Sequence, residues 1–301
     1  MKTTLVIVTY KCPIIIKCIK SLVGYFKIII VENSNNIQFK KKLEKFNKNI
    51  SVILTGENLG YAKSANLGLK KVKSKFGLLI NPDVLVNYKT IQKIELIADE
   101  IKNFSILVPM YNGFYDYLNN NMDRVDNLES KDLILKNILQ KKIVKIKFTP
   151  GFFMFFNMKI LKKVNYFDEN FFLYFEDADL CKKFSTLKKD IYLLSSLKIN
   201  HLYGASQFKE LKNMLYLVRN WHLYWSSYYY HKKHYGFINS LILHFSKLVR
   251  FLVLALYFFI IRNNIEHSIY KSRFLGLFSS IISRSSHNGY KLENLSSINF
   301  S

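Results

Sequence analysis

Residues 5–34 read "LVIVTYKCPIIIKCIKSLVGYFKIIIVENS", and the two β-branched runs at the ends of this stretch decide the fold. "LVIVTY" (5–10) and "KIIIVENS" (27–34) are short apolar runs that stop in polar or turn residues, the pattern of strands buried on both faces. Pro13 stands where the first turn of a helix tolerates a missing N–H, so a helix is expected over 13–24. Strand, helix, strand at this spacing is a crossover unit, and crossovers join parallel neighbours.

The pattern continues. "ISVILT" (50–55) and "FGLLINPD" (76–83) read as further strands, with helices over 38–46 and 61–73 between them. An α/β domain with a mostly parallel central sheet, covered by helices on both faces, follows. Beyond it we expect a helix over 88–102 and the strand "SILVPM" (105–110), then a polar exposed loop in "YNGFYDYLNNNMDRVDN" (111–127). A strand-pair region, "IVKIKFTPGFFMFFN" (143–157), precedes a helix opened by "FEDADLCKKF" (175–184). From about residue 207 the character changes, and "MLYLVRNWHLYWSSY" puts Met214, Leu217, Val218, Trp221, Trp225 and Tyr228 at helical spacing. Two domains are expected, an α/β domain over 1–206 and a helical region over 207–301.

The chain of 301 residues carries 45 Lys and Arg against 21 Asp and Glu, so its field favours anionic partners such as polyphosphates, nucleic acid or an anionic membrane face. A biased genome gives the same Lys- and Asn-rich composition. Nucleic-acid binding is disfavoured, because acidic and Asn residues collect at strand ends and the aromatics cluster with aliphatics rather than with Arg. Cys12, Cys18 and Cys181 form no CxxC pair, which argues against a disulfide framework or zinc site and for a reducing compartment. The N-terminus has too short an apolar run for a signal-peptide core, so a cytoplasmic location is expected.

Near the C-terminus, eleven apolar residues run uninterrupted between Arg250 and Arg262, well short of the roughly 20 that cross a bilayer. A longer segment from Phe237 would put Lys247 and Arg250 near its middle. An amphipathic helix lying in the membrane plane fits better, with basic side chains reaching phosphate headgroups. The alternative is a helix buried against the first domain or against a second subunit, which would make a homodimer.

In an open parallel sheet the ligand lies beyond the carboxyl ends of the strands. Those ends carry Thr9 and Tyr10, then Glu32, Asn33 and Ser34, then Asn81, Pro82 and Asp83. "ENLGYAKSANLG" (57–68) adds Asn58 and Gly60 in a loop, with Lys63 and Asn66 on the helix after it. Neither GxGxxG nor GxxxxGK[ST] occurs, which disfavours a dinucleotide fold and a P-loop. Pro82 stops its strand and leaves Asp83 at the tip, suited to one contact with a hard divalent ion whose other ligands are phosphate oxygens.

In this order and spacing, "VIVTY", "VENS", "ENLGYAKSANLG", "LLINPD", "GFFMFFN", "FDENFFLYFEDADL" and "HLYGAS" resemble the family 2 glycosyltransferases of the GT-A fold. The likeness is greatest to the bacterial rhamnosyltransferase-like branch and covers roughly residues 3–206. The resemblance implies a nucleotide-diphospho-sugar transferase domain in which Thr9, Tyr10, Glu32, Asn33, Asn58, Gly60, Lys63, Asn81 and Asp83 bind the donor. Asp83 corresponds to the last position of the DxD motif that binds Mg²⁺ or Mn²⁺, and Asn81 replaces its first Asp. His201 resembles the position of a late metal ligand or diphosphate contact, and Gly151 a point of acceptor approach. In "FEDADL", Asp177 corresponds to the catalytic base, Glu176 to an acceptor or water contact, while Asp179 is assigned to the helix terminus. The expected activity is inverting sugar transfer to a saccharide or lipid-linked acceptor at the inner face of the cytoplasmic membrane, in O-antigen, capsule or lipooligosaccharide assembly. The competing expectation, prompted by Asn81, is an inactive homologue acting as a membrane-assembly scaffold.

Overall fold

The strand–helix–strand unit read from residues 5–34 is present: β1 (Thr3–Thr9) and β2 (Lys27–Glu32) pair in parallel, with Thr9 opposite Glu32. This computed structural model describes residues 1–10, 12–101, 103–114, 136, 140–203 and 212–291. The loop expected over 111–127 lies outside the described residues from 115 onward, as do Gly204 and Ser206. The connecting helix, α1 (Ile15–Ile19), is much shorter than the 13–24 expected. After Ile19 the chain goes over to three-residue turns, with Leu22 N–H donating to the Ile19 carbonyl and Tyr25 N–H to Leu22. Gly24, at φ +88°, then takes the left-handed turn back to the sheet.

β3 (Ile50–Leu54) adds in parallel to β2, and β4 (Phe76–Ile80) in parallel to β1. The helices of this half are α2 (Ile37–Phe46), capped by Asn36, α3 (Tyr61–Leu69) and α4 (Tyr88–Glu100), capped by Asn87. The remaining strands are β5 (Val84–Leu85), β6 (Phe104–Tyr111), β7 (Ile143–Ile146), β8 (Phe153–Asn157) and β9 (Asp190–His201). The sheet order is β3-β2-β1-β4-β8-β6-β9-β5, with β7 paired to β9.

The parallel pattern therefore holds for the first four strands, and the sheet becomes mixed beyond β4. β8 is the reason: it enters where β4 ends, with Phe153 opposite Ile80, and must run antiparallel to both β4 and β6. The two strands of 143–157 do not pair with each other, since β7 goes to the far side of β9. The core is aliphatic around β1 and β2, with Leu5, Ile7, Ile28 and Ile30 buried, and aromatic around β4, β6 and β8, where Phe155 meets Phe76 at 5.1 Å. Helices α5 (Met158–Lys163) and α6 (Glu176–Thr186) follow β8.

The chain packs as two compact units, Met1–Asn58 with Ser64–Asp168 and Asp177–Gln207, and Leu59–Lys63 with Glu169–Glu176 and Phe208–Ser301. The second unit is built on α7 (Lys212–Tyr235), α8 (Phe237–Ile260) and α9 (Asn264–Ile281), followed by a 3₁₀ turn (Ser286–Asn288). Leu217 and Val218 pack on Ile269, and Tyr228 packs with Phe251 and Leu277. Gly276 lets α9 touch α7: a Cβ there would fall 2.2 Å from the Trp221 carbonyl oxygen. α9 falls inside the helical region expected over 207–301, but its bounds are not marked in the sequence, because buried Ser272, Ser279 and Ser280 interrupt its apolar spacing.

Candidate active site

At the carboxyl ends of β1 and β2, Thr9 is buried and Glu32 has no exposed surface. Asn33 N–H donates to the Thr9 carbonyl at 2.8 Å, tying the two strand ends together, and half-buried Tyr10 follows. The Ser34 hydroxyl donates to Glu32 Oε1 at 2.6 Å. Nearby, the Cys12 thiol is pushed up to about 11, chiefly by burial, with the carboxylates of Asp83 and Glu32 adding to it. The Asn33 amide spans this end of the sheet. Its Nδ2 donates to Asn58 Oδ1 at 3.0 Å, while its Oδ1 accepts from the hydroxyls of Ser64 at 2.9 Å and Thr55 at 3.3 Å.

A second group forms where β4 ends. Asn81 N–H donates to the Phe152 carbonyl at 2.8 Å, Pro82 follows, and Asp83 is held 97 % out of solvent. Because β5 runs antiparallel to β9 with Val84 opposite His201, Asp83 Oδ1 comes to 3.3 Å from His201 Nε2. His201 is fixed on other sides. Its main-chain N–H donates to Asn112 Oδ1 at 2.6 Å, Asn112 Nδ2 donates to its carbonyl at 2.9 Å, and its ring stacks on Phe152 at 4.4 Å.

Asp177 lies in the first turn of α6, and both its oxygens accept backbone N–H groups: Oδ2 from Gly151 at 3.0 Å and Oδ1 from Ala178 at 2.8 Å. Two successive residues, Gly151 and Phe152, thus touch Asp177 on one side and Asn81 and His201 on the other. Asp179 faces the interior, fully buried, 3.5 Å from Lys183 one turn on.

Gly60, Lys63 and Glu176 belong to the second unit. Gly60 is left-handed at φ +78°, and a Cβ on it would fall 2.4 Å from the Phe172 carbonyl oxygen, which accepts from Tyr61 N–H at 2.6 Å. Lys63 is half-buried in the first turn of α3, and buried Glu176 opens α6. Phe152, Asn112 and Ser64 were not singled out from sequence. Ser64 and Phe152 had a signal, their places inside "ENLGYAKSANLG" and "GFFMFFN".

Among the described residues no three His, Cys, Asp or Glu side chains converge as a complete metal site. Asp83 and His201 supply two ligand atoms, a carboxylate oxygen and an imidazole nitrogen facing each other. That set fits a divalent ion that completes its shell with phosphate oxygens. Asp177, by contrast, presents a carboxylate held by backbone amides, a group able to accept a proton.

The sequence profile described as glycosyl transferase family 2 matches residues 4–165. The low-salt glycan biosynthesis hexosyltransferase Agl10 of Haloferax volcanii is 24% identical over 186 residues, which take in 59% of this chain and 60% of that protein. Among solved structures, the mannosyltransferase PcManGT of Pyrobaculum calidifontis, in complex with GDP-Man and Mn²⁺, superposes with a TM-score of 0.56 at 12% identity, covering 93% of this chain and 87% of that one. GalNAc-T7 with UDP, GalNAc and Mn²⁺ also gives 0.56 at 10% identity, over 74% of this chain and 51% of that one. These likenesses establish a GT-A-like fold.

Proposed function

Because the chain belongs to glycosyl transferase family 2, we propose that it is a metal-dependent, inverting hexosyltransferase that takes its sugar from a nucleoside-diphosphate donor. The observation that carries this reading is the Asp177 carboxylate, held by two backbone amides and joined through Gly151 and Phe152 to Asn81, His201 and Asp83. An acceptor hydroxyl is a poor nucleophile at neutral pH. Asp177 takes its proton as the oxygen bonds to the anomeric carbon and the bond from that carbon to the diphosphate oxygen breaks. One base and one displacement invert the anomeric centre. Thr9, Tyr10, Glu32 and Asn33 hold the base and ribose, with Asn58, Gly60, Lys63 and Asn81 on the donor, and Gly151 and Glu176 on the acceptor side. Asp83 and His201 would hold Mn²⁺ or Mg²⁺, which supplies charge neutralisation for the departing diphosphate.

Relatives whose names mention hexose transfer, GDP-Man and UDP support a hexose donor, with rhamnose, galactose, glucose and an amino sugar as the candidates. The inactive-scaffold reading draws on Asn81 alone, and the ordered Asp177 and the Asp83–His201 pair weigh against it. The test is Asp177→Asn, which should lower turnover of a donor sugar by about 10² to 10⁴ while the nucleotide still binds. Unchanged turnover would remove Asp177 from the chemistry.

The acceptor, on this reading, is a saccharide or lipid-linked saccharide of the cell surface, met at the inner face of the cytoplasmic membrane. α8 supports this. It is long and apolar enough to cross a bilayer, yet Ser240, His244, Phe251 and Ala255 bury a single stripe of it against α7 and α9. Away from that stripe, Ile238, Ile242, Phe245, Val249, Leu252 and Leu256 share one face and are between 41 and 72 % exposed. Asn239, Ser246, Lys247 and Arg250 occupy the flank beside it. A spanning α8 would bring Lys247 and Arg250 to mid-bilayer, so α8 lies in the membrane plane with its apolar face down. From Lys212 to Lys291 there are eleven Lys and Arg and one acidic residue, Glu266, a balance suited to anionic headgroups.

A further inference from the structure

The loop that leads into the proposed base is held by the C-terminal helices. Residues 169–176 belong to the second unit, and four of their carbonyls are bound within it. His287 Nε2 donates to Glu169 at 2.9 Å, the Ser286 hydroxyl to Asn170 at 2.5 Å, Tyr61 N–H to Phe172 at 2.6 Å and the Ser226 hydroxyl to Leu173 at 2.8 Å. The side chains are held too. Phe172 stacks on His222 at 4.4 Å, Phe171 meets Tyr229 edge-on at 4.9 Å, and Phe175 lies 5.4 Å from Tyr230.

What this grip maintains is unusual backbone. Tyr174 and Phe175 are both left-handed, at φ +69° and +64°, in a region that large L-residues avoid, and Glu176 and Asp177 follow directly. Two successive residues persist there only when their surroundings over-determine them. Ser226 binds the carbonyl immediately before that pair and so anchors the entry to the turn.

We infer that α7 and the 3₁₀ turn at Ser286–Asn288 form a mould for the base-bearing loop, with Ser226 and Ser286 as positioning residues for Asp177. The helical unit then has a part in the reaction separate from membrane contact. Tyr61 and Gly60 of the donor loop close on the same Phe172 carbonyl, so the mould holds the start of the donor helix as well. The inference rests on the reading of Asp177 as base, and a misplaced base costs rate without costing donor affinity.

The test uses the full chain with Ser226→Ala, the conservative Ser226→Thr, and Asp177→Asn in parallel. Amide hydrogen exchange over 169–177 is followed together with turnover of whichever donor binds among UDP-GlcNAc, UDP-galactose, dTDP-rhamnose and GDP-mannose. In Ser226→Ala, exchange at 174–177 should quicken while the β8 amides stay protected. Its kcat should fall between about 10- and 100-fold with donor KM within about twofold, and Ser226→Thr should restore both. Unchanged exchange at 174–177, or an unchanged kcat in Ser226→Ala where Asp177→Asn is dead, would overturn the inference. Full activity in Asp177→Asn would instead overturn the base assignment and leave the exchange result to decide whether the mould exists.

Discussion

Asp83 illustrates how one residue is placed by three constraints. Proline ends its strand, β5 turns it toward β9, and burial leaves its carboxylate facing His201. Removing His201 should therefore weaken metal-dependent nucleotide binding without unfolding the sheet, and His201→Ala is expected to need at least about tenfold more Mn²⁺ for half-maximal binding in a titration. An unchanged requirement would take His201 out of the metal set. Gly60→Ala combines a left-handed φ with a collision against the Phe172 carbonyl, and should cost about 1–3 kcal/mol in thermal or denaturant unfolding. Much of this scale was legible beforehand. Thr9, Glu32, Asn33, Asn81 and Asp83 end buried strands, and a polar residue closing a β-branched run is visible in the letters. The Gly151–Asp177 hydrogen bond spans 26 positions and depends on how β8 enters the sheet, which no local pattern carries.

At the level of elements, α7 carries a histidine that makes the fold sensitive to acid. His222 has no exposed surface, its Nε2 donates to the Tyr290 carbonyl at 2.9 Å, and burial lowers its pKa to about 3. The unfolded chain binds a proton there below about pH 6.5, whereas the folded one stays neutral down to about pH 3. Stability is thus fully present above pH 6.5 and is lost on acidification, by about 1.4 kcal/mol per pH unit within that window. Denaturant melts of His222→Phe between pH 7 and pH 4 should fall less steeply than those of the parent. Parallel slopes would show that another group dominates. Element existence was readable wherever the apolar period was clean, as in β1 to β4, α4 and α7. Length was misjudged at α1, where turns ending in Gly24 cut the expected helix short, and α9 could not be delimited within the helical region, because three buried serines replace apolar residues. A strand was legible at β8, but its antiparallel direction was not, because direction is set by where the preceding chain enters, not by composition.

For the molecule as a whole, charge and exposed apolar surface point the same way. A chain with formal charge +24 and one apolar helix face should bind vesicles of phosphatidylglycerol mixed with phosphatidylcholine, and release them as salt is raised. Leu252→Glu, on the exposed face, should abolish flotation with the vesicles, whereas Ser246→Glu on the flank should weaken it less. If the face instead serves a second copy of the chain, sedimentation will show a dimer that Leu252→Glu dissolves and vesicles do not compete for. The basic, apolar character of this region was plain in the sequence, but the choice of face was not, because it depends on which stripe α7 and α9 bury.

Calorimetric titration of UDP, dTDP, GDP and CMP into the folded protein, with and without Mn²⁺, tests the proposed nucleotide site most directly. Binding of one nucleoside diphosphate that requires Mn²⁺ and is lost in Asp83→Ala is the predicted result. Absence of binding by all four, from protein whose folding is verified by its cooperative melt, would contradict the transferase reading and favour the scaffold.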